Sequence, residues 1–429
     1  MEFSRQTPLI YNLFPLLVGS CDNWISHAER AAGMGFNWLY VNPIHEPGVS
    51  GSLYAIKHYD RVHPAFRPKG SLDARLSCLE PTVHQVVRCG LAPMMDLVIN
   101  HTAIDSPLVD QHPEWFVRDQ EGRVAHPFAV DPNDPARKTV WGDLAEIDNR
   151  RSSDREGLWE YWGRVLDAYL SIGIKGFRCD AAYKVPVELW QFLIARARQQ
   201  RPDVLFWAEN LGCTPEETRA LRSAGFQFVC NSSKWWNFSD EWCLDQHEEF
   251  KDLPSIAFPE THDTQRMARE SGGREDIQRQ RYVLAAVFSS GLMMPIGYEF
   301  GFQESLHVVQ TSPADWEVPH WDLQPFIRAV NQWKLADPLW QGEGTLCRRF
   351  VEYPHLCLLE RRSLGSPGRW GLICVHLGQD QACEVDCHRF GTLPAMPELT
   401  RLSYLDRSPG PLPLPSRVRL SPSEIVVIS

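Results

Sequence analysis

Apolar and polar positions along the chain repeat with two different periods. Short runs rich in β-branched and aromatic residues, at 9–14, 38–42, 93–100, 176–179, 204–209, 226–230, 255–259 and 293–296, read as strands. Between them apolar residues recur every three and four positions, most clearly at 24–33, 158–170, 189–198 and 278–288, the spacing that lines one face of a helix. Strands alternating with helices up to about residue 336 predict a parallel sheet covered by helices, and eight such units predict a closed (β/α)8 TIM barrel.

The spacing breaks once. Between the third strand and the helix beginning near Leu158 lies a long segment rich in Pro and Asp (HPFAVDPNDPARKT), too long for a plain connection. Residues 102–150 therefore read as a small inserted domain projecting from the rim on which such barrels carry their sites. Beyond Pro338 the pattern changes to alternating segments such as 372–376 and 425–428, with Gly- and Pro-rich turns, which predicts an antiparallel β domain. The expected division is a catalytic barrel over 1–101 and 151–338, an insert over 102–150 and a C-terminal β-sandwich over 339–429.

Composition narrows the range of partners. With 43% hydrophobic and 23% charged residues, the 429-residue chain has the make-up of a folded globular protein. A formal net charge of -11 argues against nucleic acid or an anionic membrane as the main partner, since both demand clustered Lys and Arg; a neutral substrate fits better. No apolar run approaches the ~18 residues of a membrane span. Residues 13–21 (LFPLLVGSC) loosely resemble an apolar leader, but Tyr11, Asn12 and Pro15 interrupt the run, and cleavage there would remove the first predicted strand. The twelve cysteines sit singly, as at Cys89, Cys179, Cys230 and Cys357, and Cys383 with Cys387 lacks companions at zinc spacing. Reduced thiols in a cytoplasmic setting are expected.

Candidate chemistry gathers at predicted strand ends: Asp96, Asn100 and His101 after the third, Arg178 and Asp180 after the fourth, Glu209 after the fifth, His262 and Asp263 after the seventh. In a barrel these ends converge on one rim. A retaining glycosidase needs two carboxyl groups about 5 Å apart, one as nucleophile and one as acid then base. Asp180 and Glu209 end neighbouring strands. The apolar run before Glu209 favours a raised pKa and an acid role. Arg178, two residues before Asp180 and so on the same strand face, can hold that carboxylate ionised as the nucleophile. Asp263 suits hydrogen bonding to sugar hydroxyls as charge develops, with His262 and His101 as further donors. Singly, each acid also reads as a helix cap or surface ion pair, each His as structural, and Asp96 as a brace for Arg178.

These residues fall in motifs. DLVINH (residues 96–101), GFRCDAA (176–182), AEN (208–210) and THD (261–263) resemble, in order, the four main segments of the α-amylase superfamily, glycoside hydrolase family 13. YNLFP (11–15), VNPIHE (41–46) and GYEFG (297–301) resemble its first, second and eighth strands. The resemblance implies nucleophile Asp180, acid/base Glu209 and transition-state stabiliser Asp263, acting on α-glucosidic bonds of short α-glucans or small α-glucosides, by hydrolysis or transglycosylation. It implies that the insert is the family's domain B. It also implies that Tyr54 is an aromatic platform under the sugar, with a core role as the alternative. Lys184 falls where many amylases have a Lys-His pair on the leaving side, with Val185 in place of the His. Thr261 replaces a common Asn, and Glu260 is an additional acid near the pocket. Trp235 and Trp236 read either as platforms for an acceptor sugar or as packing.

No cofactor is required by such chemistry. Many members hold a structural calcium near domain B, for which Asn100 is a possible ligand here, with Asp131, Asp134 and Asp143 as nearby oxygens. Residues 100–116 also resemble maltosyltransferases of the superfamily that use maltose 1-phosphate, with Lys184 and Arg266 as candidate phosphate ligands. A catalytically silent barrel is the remaining alternative. The presence of all three acids and Arg178 speaks against it.

Overall fold

The computed structural model describes residues 7–131, 134–366, 368–408 and 410–429. The side chains of residues 130, 131 and 134–137, and so the carboxylates of Asp131 and Asp134, lie outside that description. Eight parallel strands close a barrel: β1 (Leu9–Leu13), β2 (Trp38–Val41), β3 (Ala92–Leu97), β4 (Gly176–Cys179), β5 (Leu205–Ala208), β6 (Phe228–Cys230), β7 (Ser255–Ala257) and β8 (Gly291–Pro295). Each is followed in sequence by a helix: α1 (Trp24–Gly33), α2 (Glu80–Arg88), α3 (Arg155–Ser171), α4 (Val187–Gln200), α5 (Pro215–Leu221), α6 (Trp242–Phe250), α7 (Glu275–Phe288) and α8 (Gln324–Ala336).

Strand periodicity decides what reaches the interior. Ile10, Trp38, Tyr40, Ala92, Met94, Leu205, Trp207, Ile256 and Met293 fill the barrel. Their neighbours Tyr11, Leu39, Val41, Met95, Leu97, Phe177 and Cys179 face the helical shell. The bulk of Trp38 is accommodated at Gly176, where a Cβ would lie 2.7 Å from the indole Cζ3. The same inward phase carries Asp96 on β3 and Arg178 on β4 to the C-terminal end of the barrel, and the register pairs these two residues directly.

The third strand ends at Leu97, short of the predicted residue 100. Ile99 O accepts from Asn149 Nδ2 at 2.7 Å and Asn100 O from Ile147 N at 3.1 Å, which turns the chain out of the barrel into the insert. There His101–Ala103 pairs antiparallel with Leu144–Glu146. Local capping fixes α5: Thr214 Oγ1 accepts from Glu217 N at 3.2 Å, and the Glu217 carboxylate accepts from Thr214 N at 2.8 Å.

Beyond the barrel follow β9 (Thr345–Arg349), β10 (Leu356–Arg362), β11 (Trp370–His376), β12 (Cys383–Asp386), β13 (Glu398–Thr400), β14 (Leu412–Pro413), β15 (Arg417–Leu420) and β16 (Ile425–Ile428). They form a six-stranded sheet and a two-stranded one, β12 with β15, whose apolar faces share a core. Of two buried cations here, Lys334 ties α8 to the end of α7 within the barrel, and Arg361 of β10 fastens the C-terminal sheets to it. Lys334 Nζ donates to the carbonyls of Ala286 and Ser289 at 2.8 Å each, and Arg361 Nη1 to those of Val287 and Phe288 at 2.9 Å each. A buried cation needs such donors' worth of acceptors to be tolerated.

Candidate active site

Arg178, near the C-terminal end of β4, is the hub of the site. Its Nη1 donates to Asp96 Oδ1 at 3.0 Å and to Asp180 Oδ1 at 2.6 Å, while Nη2 lies 3.8 Å from Glu209 Oε2. One buried guanidinium therefore faces three carboxyl groups. Asp96 Oδ2 is filled from the other side by Tyr40 Oη at 2.5 Å and Tyr54 Oη at 2.8 Å.

Glu209, one residue past β5, is buried. Its Oε2 accepts from Ala181 N at 2.9 Å and its Oε1 from Leu211 N at 2.5 Å. Burial, opposed by Arg178 and reinforced by the Asp180 charge, pushes the Glu209 carboxyl up to about 7. The Ala181 donor depends on a backbone turn: Ala181, directly after Asp180, has φ +41°, in the left-handed region that L residues other than Asn and Asp rarely adopt. Strain of this kind concentrates at functional sites. Here it points the N–H beside the nucleophile candidate at the acid candidate.

The loop after β7 supplies Asp263, whose side chain is 61% exposed and therefore free to meet a ligand. His262 Nε2 lies 3.1 Å from Asp263 Oδ2 and 2.8 Å from Tyr54 Oη, and the Tyr54 and His262 rings lie parallel within 3°. The three are one surface. Beside them opens a cavity of about 540 Å³ lined by His262, Asp263, Gln265, Arg269 and His307 among others. Its far wall is joined across the rim, with Leu53 N donating to Val308 O at 3.0 Å. His101 is buried next to this site, and its Nε2 has no protein partner.

Other expected residues are distributed differently. Lys184 is exposed, with Nζ 5.1 Å from the Tyr183 ring centre. Tyr183 is pushed above the ordinary phenol range by burial and by Glu209, which places this corner beside the acid. Trp235 is 49% exposed and packs edge-on against Phe258 at 5.9 Å. Trp236 is fully buried among Phe238 and Phe288, with its Nε1 donating to Asp240 O at 2.8 Å, so it cannot stack on a sugar. Arg266 is not available to a phosphate: it is 1% exposed and donates to Glu260 Oε1 at 2.8 Å, Ile296 O at 2.9 Å and Glu304 O at 3.1 Å. Glu260, likewise 1% exposed, is consumed by that pair and is not a pocket acid.

For calcium, Asn100 Oδ1 is buried without a partner, as an oxygen ligand would be. Among the described residues, however, the one group of three His, Asp or Glu side chains close enough to share an ion is His112, Glu114 and Asp154. Asp154 there is spent on Gly157 N and Trp115 Nε1, at 3.1 and 3.0 Å. Among the described residues no group of three His, Cys, Asp or Glu side chains gathers at Asn100.

A closed eight-stranded barrel carrying these three acids and one shared arginine on its rim has the architecture of an amylase-type protein. The family described as glycogen debranching enzyme, glucanotransferase domain, matches residues 9–118. The chain is 27% identical over 352 residues to the α-1,4-glucan:maltose-1-phosphate maltosyltransferase of Burkholderia pseudomallei, covering 80% of this chain and 30% of that protein. It is 28% identical over 364 residues to the enzyme of the same name from Rhodospirillum rubrum, covering 75% and 50%. It thus spans at most half the length of these relatives. The fold is shared with an α-amylase from Lactobacillus plantarum at a TM-score of 0.76 and 19% identity, over 100% of this chain and 99% of that one. In sequence over much of its length and in fold over all of it, the chain is similar to proteins of the α-amylase superfamily.

Tyr40 lies outside the motifs, and Asn42 and Ala181, though inside two of them, are given no role by motif reading. Tyr40 and Asn42 had a faint signal, since polar side chains at alternate positions ending an apolar strand share its inward phase. The backbone donors of Ala181 and Leu211 carry none.

Proposed function

We propose that the protein is an enzyme that cleaves and transfers α-glucosyl units of short α-glucans or small α-glucosides with retention of configuration. The observation that carries this reading is the single guanidinium of Arg178 set between Asp180 at 2.6 Å and Glu209 at 3.8 Å, with Glu209 raised to about 7. Glu209 held up near 7 keeps the proton that the acid of a retaining mechanism must give, beside a second carboxyl gripped by Arg178.

In the first step Glu209 gives its proton to the glycosidic oxygen as the bond to the anomeric carbon breaks, and a carboxylate oxygen of Asp180 bonds to that carbon. Positive charge on the ring is met by Asp263 and by the Tyr54 ring face. In the second step the Glu209 carboxylate takes a proton from water or a sugar hydroxyl, whose oxygen displaces Asp180. No cofactor is needed for either step. The cavity beside Asp263 is lined by neither Glu209 nor Tyr183, and so suits the retained sugar rather than the leaving group. The twelve unpaired cysteines support a reducing, cytoplasmic setting. Among the described residues no helix is long and apolar enough to cross a membrane.

A second reading takes maltose 1-phosphate as the donor. Sequence similarity to maltosyltransferases supports it, together with Lys184 on the Glu209 side, where a phosphate would depart. Incubation with maltose, maltotetraose, sucrose and maltose 1-phosphate, each with and without an added glucan acceptor, tests both readings. Phosphate release with chain extension would select the second; sugar release or transfer from uncharged donors alone would select the first. No turnover of any donor would contradict both.

A further inference from the structure

Behind the three acids lies a buried set of side chains to which the two steps above give no task. Asn12 near the end of β1, Tyr40 on β2 and Asn42 just past it are all at most 1% exposed. Asn12 Nδ2 donates to Asn42 Oδ1 at 2.8 Å, which leaves the Asn42 Nδ2 group facing two phenols. It donates to Tyr40 Oη at 3.2 Å and to Tyr54 Oη at 3.1 Å. Each phenol has one proton, and both protons go to Asp96 Oδ2, at 2.5 and 2.8 Å. With its proton so used, Tyr54 Oη can only accept from His262 at 2.8 Å. That requires a proton on His262 Nε2, which also lies 3.1 Å from Asp263 Oδ2, while Nδ1 has no hydrogen-bond partner.

A carboxylate turns easily about its last torsion, which has a broad two-fold profile. Asp96 is denied that freedom only because one oxygen carries two phenol donors while the other receives Arg178. The same Arg178 Nη1 that reaches Asp96 also reaches Asp180. We propose that Tyr40 is a positioning residue of the reaction: by clamping Asp96 it fixes the direction in which Arg178 presents Asp180 to the anomeric carbon. It touches no substrate. The phenol it shares Asp96 with, Tyr54, is the platform for the sugar, so one carboxylate oxygen sets both the nucleophile and the surface it works against. Hydrogen-bonded groups standing behind reacting ones commonly change activity by about 10- to 100-fold when removed.

This inference rests on the retaining reading above, and its test separates the two. Tyr40→Phe keeps the ring volume in the packed interior and removes only the hydroxyl. The full-length variant should show kcat reduced by about 10- to 100-fold, KM changed by less than about threefold and an unaltered circular dichroism spectrum. An aryl α-glucoside with a good leaving group should restore much of the activity of Glu209→Gln, which lacks the acid, but not that of Tyr40→Phe. In an Asp96→Asn background, Tyr40→Phe should have little further effect, because both act through one carboxylate. A kcat within about twofold of the parent, or losses that multiply fully in the double variant, would overturn the proposal. Crystal structures of parent and variant decide it even if no donor is turned over. Asp96 rotated away from Arg178 in the variant supports the clamp, and an unmoved Asp96 refutes it.

Discussion

Two buried glutamates stand past strands of the same barrel, Glu209 after β5 and Glu260 after β7, and each is close to an arginine. Burial pushes both carboxyls above the ordinary range. Their surroundings differ in one respect. Glu260 owns its arginine, with Arg266 at 2.8 Å and Met267 N on the other oxygen, and Arg266 spends its remaining donors on carbonyls. Glu209 must share Arg178 with Asp96 and Asp180, both of them closer to it. A closed pair is a structural clip. With one cation shared among three acids, Glu209 is held up near 7 and carries a proton that can be moved. Burial and charge alone do not distinguish the two cases; the ratio of acids to cations, and access to the pocket, do.

The largest expected effect follows from removing the shared acids. Glu209→Gln or Asp180→Asn should lower kcat/KM on natural donors by at least about 10³-fold with no loss of folded protein by circular dichroism. Breaking the clip should do the reverse. Glu260→Ala strands Arg266 and should destabilise the fold by about 3–5 kcal/mol in urea unfolding, while the folded fraction stays active within about tenfold. A Glu260 variant that folds normally but is inactive would erase the contrast.

The pH response sharpens it. The basic limb of kcat/KM should lie near 7, where Glu209 loses its proton. Between the ordinary glutamate value and about 7 the folded chain keeps a proton that the unfolded chain has released, so this group makes stability fall as pH rises through that window. Glu209→Gln should therefore raise the melting temperature relative to the parent at pH 8, and by less at pH 5. The smallest effect on activity is expected at the adjacent tryptophans. Trp236→Ala empties a core site and should cost about 3–5 kcal/mol of stability. Trp235→Ala should leave stability nearly unchanged and alter only acceptor KM, by a few-fold.

The eight strand–helix units and the three acids were legible because strand phase and strand ends are written in side-chain order. Asp96 and Arg178 could be paired in advance on that basis. Strand limits drifted where backbone hydrogen bonding, not apolar pattern, ends the strand, as at Leu97. Arg266 was misread and Trp236 left open between platform and packing for a common reason: a residue beside a motif can turn either toward the pocket or into the shell, and its neighbours in space decide which. The donors on Glu209 come from backbone, which every residue carries. The left-handed turn at Ala181 gives one of them its direction, and φ is not visible in a residue name.

The central claim is retention through a covalent bond to Asp180. Proton NMR of the first product released from an α-glucoside donor, recorded before mutarotation, tests it most directly. The account predicts the α-anomer; the β-anomer as first product would mean a single displacement by water and would contradict it.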